Sequence, residues 1–148
     1  MKLKIEVWSD YVCPFCYIGK KNLDEALKQL GRKDDIEVIF KSFELDPNAP
    51  KQIDGTINEL IAKKYGMSIE AATENNNKIV ESARQIGLEL DFDNLKPTNT
   101  FDAHRLSFYA KEENNPLDIT VCCNIVLHIY NRWFVLSDKL CVATVRKR

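Results

Sequence analysis

Apolar and polar positions alternate at the start of the chain. Leu3, Ile5 and Val7 are interleaved with Lys4, Glu6 and Trp8. A period of two predicts a strand with two unlike faces. After Ser9-Asp10-Tyr11-Val12 the period lengthens. Leu23, Ala26, Leu27 and Leu30 fall at helical spacing, and Gly31 is a suitable stop. The run Ile36-Glu37-Val38-Ile39-Phe40-Lys41-Ser42-Phe43 predicts a second strand, broken by Asp46-Pro47-Asn48-Ala49-Pro50. Residues 1–45 therefore read strand–helix–strand, an α/β pattern.

The middle of the chain predicts helices. Thr56 and Glu59 have capping-box spacing ahead of Leu60, Ile61 and Tyr65, and Gly66 follows. Ser68 is a candidate N-cap for a helix running to about Gln85, closed by Gly87. Leu88 to Pro97 reads as a connector. Asn99 or Thr100 then opens a helix through Phe101, His104, Arg105, Phe108 and Tyr109, stopped by Asn114-Asn115-Pro116. Residues 119–130 are rich in β-branched side chains but fit neither period.

The length of 148 residues suits one domain with its own core. A net charge of -1 gives no reason to expect a nucleic acid or membrane partner. No apolar run is long enough to span a bilayer, and Lys4 and Glu6 interrupt the place of a signal-peptide core. The expected location is the cytoplasm, where a CxxC is more often catalytic or metal-binding than a structural disulfide. Composition shifts near Pro116. Residues 116–148 carry five basic and two acidic side chains, and three of the five cysteines, Cys122, Cys123 and Cys141, lie there.

The candidate chemistry sits between the first strand and the first helix, at Cys13-Pro14-Phe15-Cys16. Pro14 suits the first helical turn, where its missing N–H costs nothing. Cys13 then stands at a helix N-terminus, whose unpaired N–H groups and partial positive charge favour a thiolate and predict a lowered pKa. Cys16 returns to the same face one turn on. This assigns Cys13 as the attacking thiol of a disulfide exchange and Cys16 as the resolving thiol. Pro14, Phe15 and Trp8 are expected to tune the site. Two other readings stay open. The pair can be ordinary buried cysteines. A zinc site would need about four ligands, and the adjacent Cys122-Cys123 is poor ligand spacing, so no metal is expected. His104 reads as a core or surface histidine, His128 as packing or solvated, and Lys20-Lys21 as a solvated helix face.

The run Ile5-Glu6-Val7-Trp8-Ser9-Asp10-Tyr11-Val12-Cys13-Pro14-Phe15-Cys16-Tyr17-Ile18-Gly19 resembles the DsbA-like thioredoxin family, in its cytoplasmic FrnE-like branch. So do Ser42-Phe43-Glu44-Leu45-Asp46-Pro47-Asn48-Ala49-Pro50 and residues 97–106. The resemblance implies a thioredoxin fold in which residues 46–118 form a helical insertion. It implies thiol–disulfide oxidoreductase activity at a redox-active Cys13–Cys16 disulfide. Partners would be protein or small-molecule thiols and disulfides, with glutathione an available co-substrate and no other cofactor. Related glutathione-dependent isomerases of the 2-hydroxychromene-2-carboxylate type share the fold but typically carry serine where Cys13 stands.

The resemblance fades after Asp118. None of the five prolines stands where the family places a cis-proline opposite its CxxC. Residues 119–148 are therefore expected to lack the family's closing β-hairpin and helix, as a change of reading frame with early termination would produce. An open edge on the first strand follows from that expectation, and with it either a homodimer or a catalytically weak remnant.

Overall fold

A parallel pair of strands carries the cysteine-bearing helix, and three further helices follow. The computed structural model describes residues 3–112, apart from Lys33, Gln52, Lys96 and Pro97. The expectations for Asn114-Asn115-Pro116, His128, Cys122, Cys123, Cys141 and the C-terminal hairpin lie outside the described residues.

Strand β1 (Leu3–Ser9) is followed by helix α1 (Pro14–Gln29), strand β2 (Ile36–Ser42), helix α2 (Ile57–Tyr65), helix α3 (Ile69–Gln85) and helix α4 (Phe101–Glu112). β1 and β2 pair in parallel over their full length, from Leu3 opposite Ile36 to Ser9 opposite Ser42. A parallel pair needs a crossover, and α1 supplies it. Alternation places Lys4, Glu6, Glu37 and Lys41 on one face, where Lys4–Glu37 (3.4 Å) and Lys41–Glu6 (3.0 Å) form exposed ion pairs. The other face carries Ile5, Val7, Val38 and Phe40. Among the described residues the sheet has two strands.

The helix signals near Thr56 and Ser68 were local, and they hold. Thr56 accepts a bond from the Glu59 N–H, and the Glu59 carboxylate accepts from the Thr56 N–H at 2.6 Å. Gly66 ends α2 in the left-handed region at φ 65°. Ser68 caps α3 through the Ala71 N–H. Ala62 on α2 and Ala72 on α3 are buried, and Asn76 of α3 donates to Asn58 of α2 at 2.6 Å.

The core is displaced from where the sequence pattern puts it. Its main cluster is Tyr11, Tyr17, Ala83, Leu88, Leu90, Phe92 and Leu95. Four of these seven lie in the segment read as a connector, which turns inward without forming a strand. The predicted apolar stripe of α1 is only partly used. Leu27 is buried, whereas Leu30 is 68% exposed, as is Leu3 at 59% on β1.

Candidate active site

Cys13 is the N-cap of α1 and Pro14 its first residue. The Cys13 carbonyl accepts bonds from the N–H groups of Cys16 (3.1 Å) and Tyr17 (3.4 Å), closing the first turn. Both cysteines are free thiols and partly buried. This brings Cys13, Pro14, Phe15 and Cys16 together as the spacing predicted.

The electrostatics differ from the expectation. The Cys13 thiol is pushed up to about 11 rather than lowered. Burial is the largest cause, since a thiolate loses hydration there. Cys16 adds to the rise, because two charged sulfurs side by side would repel. The N–H groups of Cys16 and Phe15 pull the other way. They are too weak to win because the sulfur makes no capping hydrogen bond at bonding geometry, and the Cys16 N–H is already spent on the Cys13 carbonyl. The helix terminus is thus present but incompletely engaged by the sulfur.

Beside Cys16 lies an open depression of about 280 Å³. Cys16, Gly19, Lys20 and Leu23 form its helical wall, and Val7, Trp8 and Phe40 its sheet wall, with Phe15 at the rim. Trp8 (60% exposed) and Phe15 (63% exposed) offer apolar surface next to the thiols. Trp8 and Phe15, two of the three residues expected to tune the site, therefore border it. Lys20 is not the solvated residue expected: its side chain is only 14% exposed and pairs with Asp24 at 2.7 Å. Gly19 meets no atom within 4 Å of where a Cβ would stand, so the depression is open at that point.

Behind the thiols is a constellation that sequence reasoning missed. Asp10, three residues before Cys13, is 1% exposed. Its Oδ1 accepts from the Tyr11 N–H (2.7 Å) and its Oδ2 from the Leu45 N–H (2.7 Å). His104 Nε2 lies 3.2 Å from Oδ1. Burial raises the Asp10 pKa, but hydrogen bonds from His104, the Leu45 N–H and Thr100 outweigh it, so the carboxyl titrates below its ordinary range. Asp10 is therefore ionised, and Nε2 is the His104 atom that donates to it. Of the two expected settings for His104, core or surface, the structure gives the core, with a buried carboxylate as its partner. Its ring lies 4.5 Å from that of Tyr11. The only available signal was an acidic residue inside the turn leading to CxxC.

The same contacts bring the three family-like stretches together. Leu45 reaches Asp10, and Asn99 donates to the carbonyls of Ala49 (3.0 Å) and Pro47 (3.4 Å). Residues 42–50 and 98–106 thus form the frame behind the cysteine turn.

A model of the DSBA-like thioredoxin domain matches residues 4–135. The chain belongs to the DsbA-like thioredoxin family. Among curated proteins it is 35% identical over 115 residues to the uncharacterized protein YwbO of Bacillus subtilis (strain 168), covering 78% of this chain and 50% of that protein. Among solved structures it is similar to the crystal structure of the probable DsbA oxidoreductase SCO1869 from Streptomyces coelicolor. The TM-score is 0.71 and the identity 37%, over 76% of this chain and 48% of that one. The chain thus spans about half the length of these relatives. Among the described residues no helix is long and apolar enough to cross a membrane, and no group of three or more His, Cys, Asp or Glu side chains is arranged to hold a metal ion.

Proposed function

We propose that this DsbA-like domain is a thiol–disulfide oxidoreductase that works by exchange at Cys13 and Cys16. The observation that carries the reading is the placement of Cys13 at the N-cap of α1, with Cys16 one turn on beside an open apolar depression. In the direction that reduces a substrate disulfide, the Cys13 thiolate attacks one substrate sulfur. A Cys13–substrate mixed disulfide forms and the other substrate sulfur leaves as a thiolate. The Cys16 thiolate then attacks Cys13 Sγ, closing the Cys13–Cys16 disulfide and releasing the second substrate thiol. The substrate disulfide is reduced and the protein dithiol oxidised, two electrons each. The reverse sequence oxidises a substrate dithiol.

Because burial holds the proton on Cys13, attack begins with loss of that proton to solvent, and the first step accelerates with pH towards about 11. Trp8 and Phe15 give the depression an affinity for apolar side chains flanking a substrate cysteine. Protein or small-molecule disulfides are the substrate class, glutathione is a co-substrate of the right chemistry, and FrnE-like proteins are the branch to which we assign the chain.

The test is turnover of a small disulfide such as hydroxyethyl disulfide, coupled to glutathione, with wild type, Cys13→Ser and Cys16→Ser. Exchange predicts loss of activity in Cys13→Ser and a trapped mixed disulfide in Cys16→Ser. A wild-type rate no higher than that of free dithiothreitol removes the reading. So does full activity in Cys16→Ser, which is what a glutathione-dependent isomerase would retain.

A further inference from the structure

We propose that Asp10 and His104 are positioning residues for the exchange, aligning Cys13 with Cys16 by pinning the cysteine turn to helix α4. The proposal rests on the exchange reading above and assigns further residues to that site.

Two consecutive residues of the turn are tied to the same helix. Asp10 holds His104, and the Tyr11 hydroxyl donates to the Ser107 hydroxyl, three residues further along α4. Their partners lie 94 and 96 positions away in sequence, and Leu45 binds Asp10 from a third segment, 35 positions away. The turn that ends in Cys13 is thus held by three contacts from two other segments, α4 and the Leu45 loop. A carboxylate this deeply buried is expensive, and an apolar side chain of similar size would often serve stability as well or better. Asp10 stands at a point where backbone direction matters, and it supplies the acceptor for the N–H groups of Tyr11 and Leu45. His104 is 6% exposed, and among the described residues its Nδ1 is buried without a hydrogen-bond partner. Its Nε2 contact to Asp10, with its ring 4.5 Å from that of Tyr11, accounts for a histidine at this place.

The chemistry separates alignment from stability. Forming a mixed disulfide needs only that an external disulfide reach Cys13. Resolving it needs Cys16 Sγ in line with Cys13 Sγ inside the protein, so it depends on the N-cap geometry that the turn fixes. Loss of the pin therefore slows resolution more than formation. A purely structural role lowers thermal stability and leaves the ratio of the two rates unchanged.

The experiment mixes the reduced full chain with glutathione disulfide, quenches with acid, and follows the Cys13–glutathione adduct and the Cys13–Cys16 disulfide by peptide-resolved mass spectrometry. His104→Leu removes the donor to Asp10. Its resolution rate, relative to formation, is expected to fall about tenfold, the scale of a lost charge-assisted hydrogen bond. His104→Gln keeps an N–H donor near the Nε2 position and is expected within about twofold of wild type on the same reasoning. Lys111→Gln, exposed at the far end of α4, is expected to leave the ratio unchanged. Circular dichroism establishes folding of each variant. A folded His104→Leu with the wild-type ratio overturns the proposal, as does a His104→Gln as slow as His104→Leu. If His104→Leu does not fold, Tyr11→Phe takes its place, because it removes the hydroxyl link to Ser107 and keeps the ring. An unchanged ratio there overturns the proposal, and a slowed resolution supports it. If wild type forms no mixed disulfide at all, the exchange reading fails and the positioning role fails with it.

Discussion

Reduced Cys13 is expected to be a slow nucleophile towards alkylating agents, against the usual expectation for a CxxC at a helix start. The perturbation is pH, and the structure sets the scale through a Cys13 thiol pushed up to about 11. At pH 8 such a thiol is ionised in about 0.1% of molecules, against roughly a quarter for an ordinary thiol. The more basic thiolate is intrinsically better at attack, which returns a factor of about 13 for a difference of roughly 2.5 units at a Brønsted slope near 0.45. Cys13 should therefore alkylate about 20-fold more slowly than a model thiol at pH 8. Its rate should go on rising tenfold per pH unit well above pH 9. Cys16→Ser removes one of the raising contributions, so the Cys13 titration moves down and its rate at pH 8 goes up. Peptide-resolved iodoacetamide trapping from pH 6 to 11 measures both. A wild-type Cys13 that outpaces a model thiol at pH 8, or a rate that levels off below pH 9, would refute the claim that burial and Cys16 outweigh the helix terminus.

Further predictions concern stability. Asp10→Ala leaves His104 and the Tyr11 and Leu45 N–H groups unpaired behind the turn and should cost about 3–5 kcal/mol in urea denaturation; a loss under about 1 kcal/mol would show the network to be slack. Cys13 has a raised folded pKa, so its contribution to stability is complete below the ordinary thiol range and is lost as pH rises from about 8.5 towards 11. Melting temperature should fall over that window in wild type and less so in Cys13→Ser. Thr56→Ala breaks the capping box and should cost about 1 kcal/mol by the same denaturation assay. Gly19→Ala enters open space inside α1, so it should stabilise the fold by roughly 0.5–1 kcal/mol while narrowing the depression. A raised KM for an apolar disulfide together with a raised melting temperature would match that expectation, and an unchanged KM would mean that substrate does not use the depression.

What was legible in the sequence was local. The alternation in residues 3–8, Pro14 at a helix start, Thr56 with Glu59, and Ser68 are decided within one or two turns of chain, and each gave its element nearly to the residue. The family followed from three motif stretches in order. What was illegible depends on residues distant in sequence. No periodicity marks Asp10 as the largest fully buried side chain among the described residues, because it lies in a turn and its partner His104 is on α4, 94 positions away. Leu88, Leu90, Phe92 and Leu95 looked like a connector because they have no regular structure, yet burial needs only an apolar side chain pointing inward. The Cys13 pKa was misjudged for the same reason. A helix terminus is visible in sequence, whereas desolvation is a property of the packed fold.

The most direct measurement of the central claim is the redox state of each cysteine across a glutathione series, read by differential alkylation and mass spectrometry. The account predicts that Cys13 and Cys16 oxidise together with one midpoint, forming a disulfide between themselves, and that this joint transition vanishes in either serine variant. Cysteines that oxidise independently, each with the behaviour of a free peptide thiol, would contradict it.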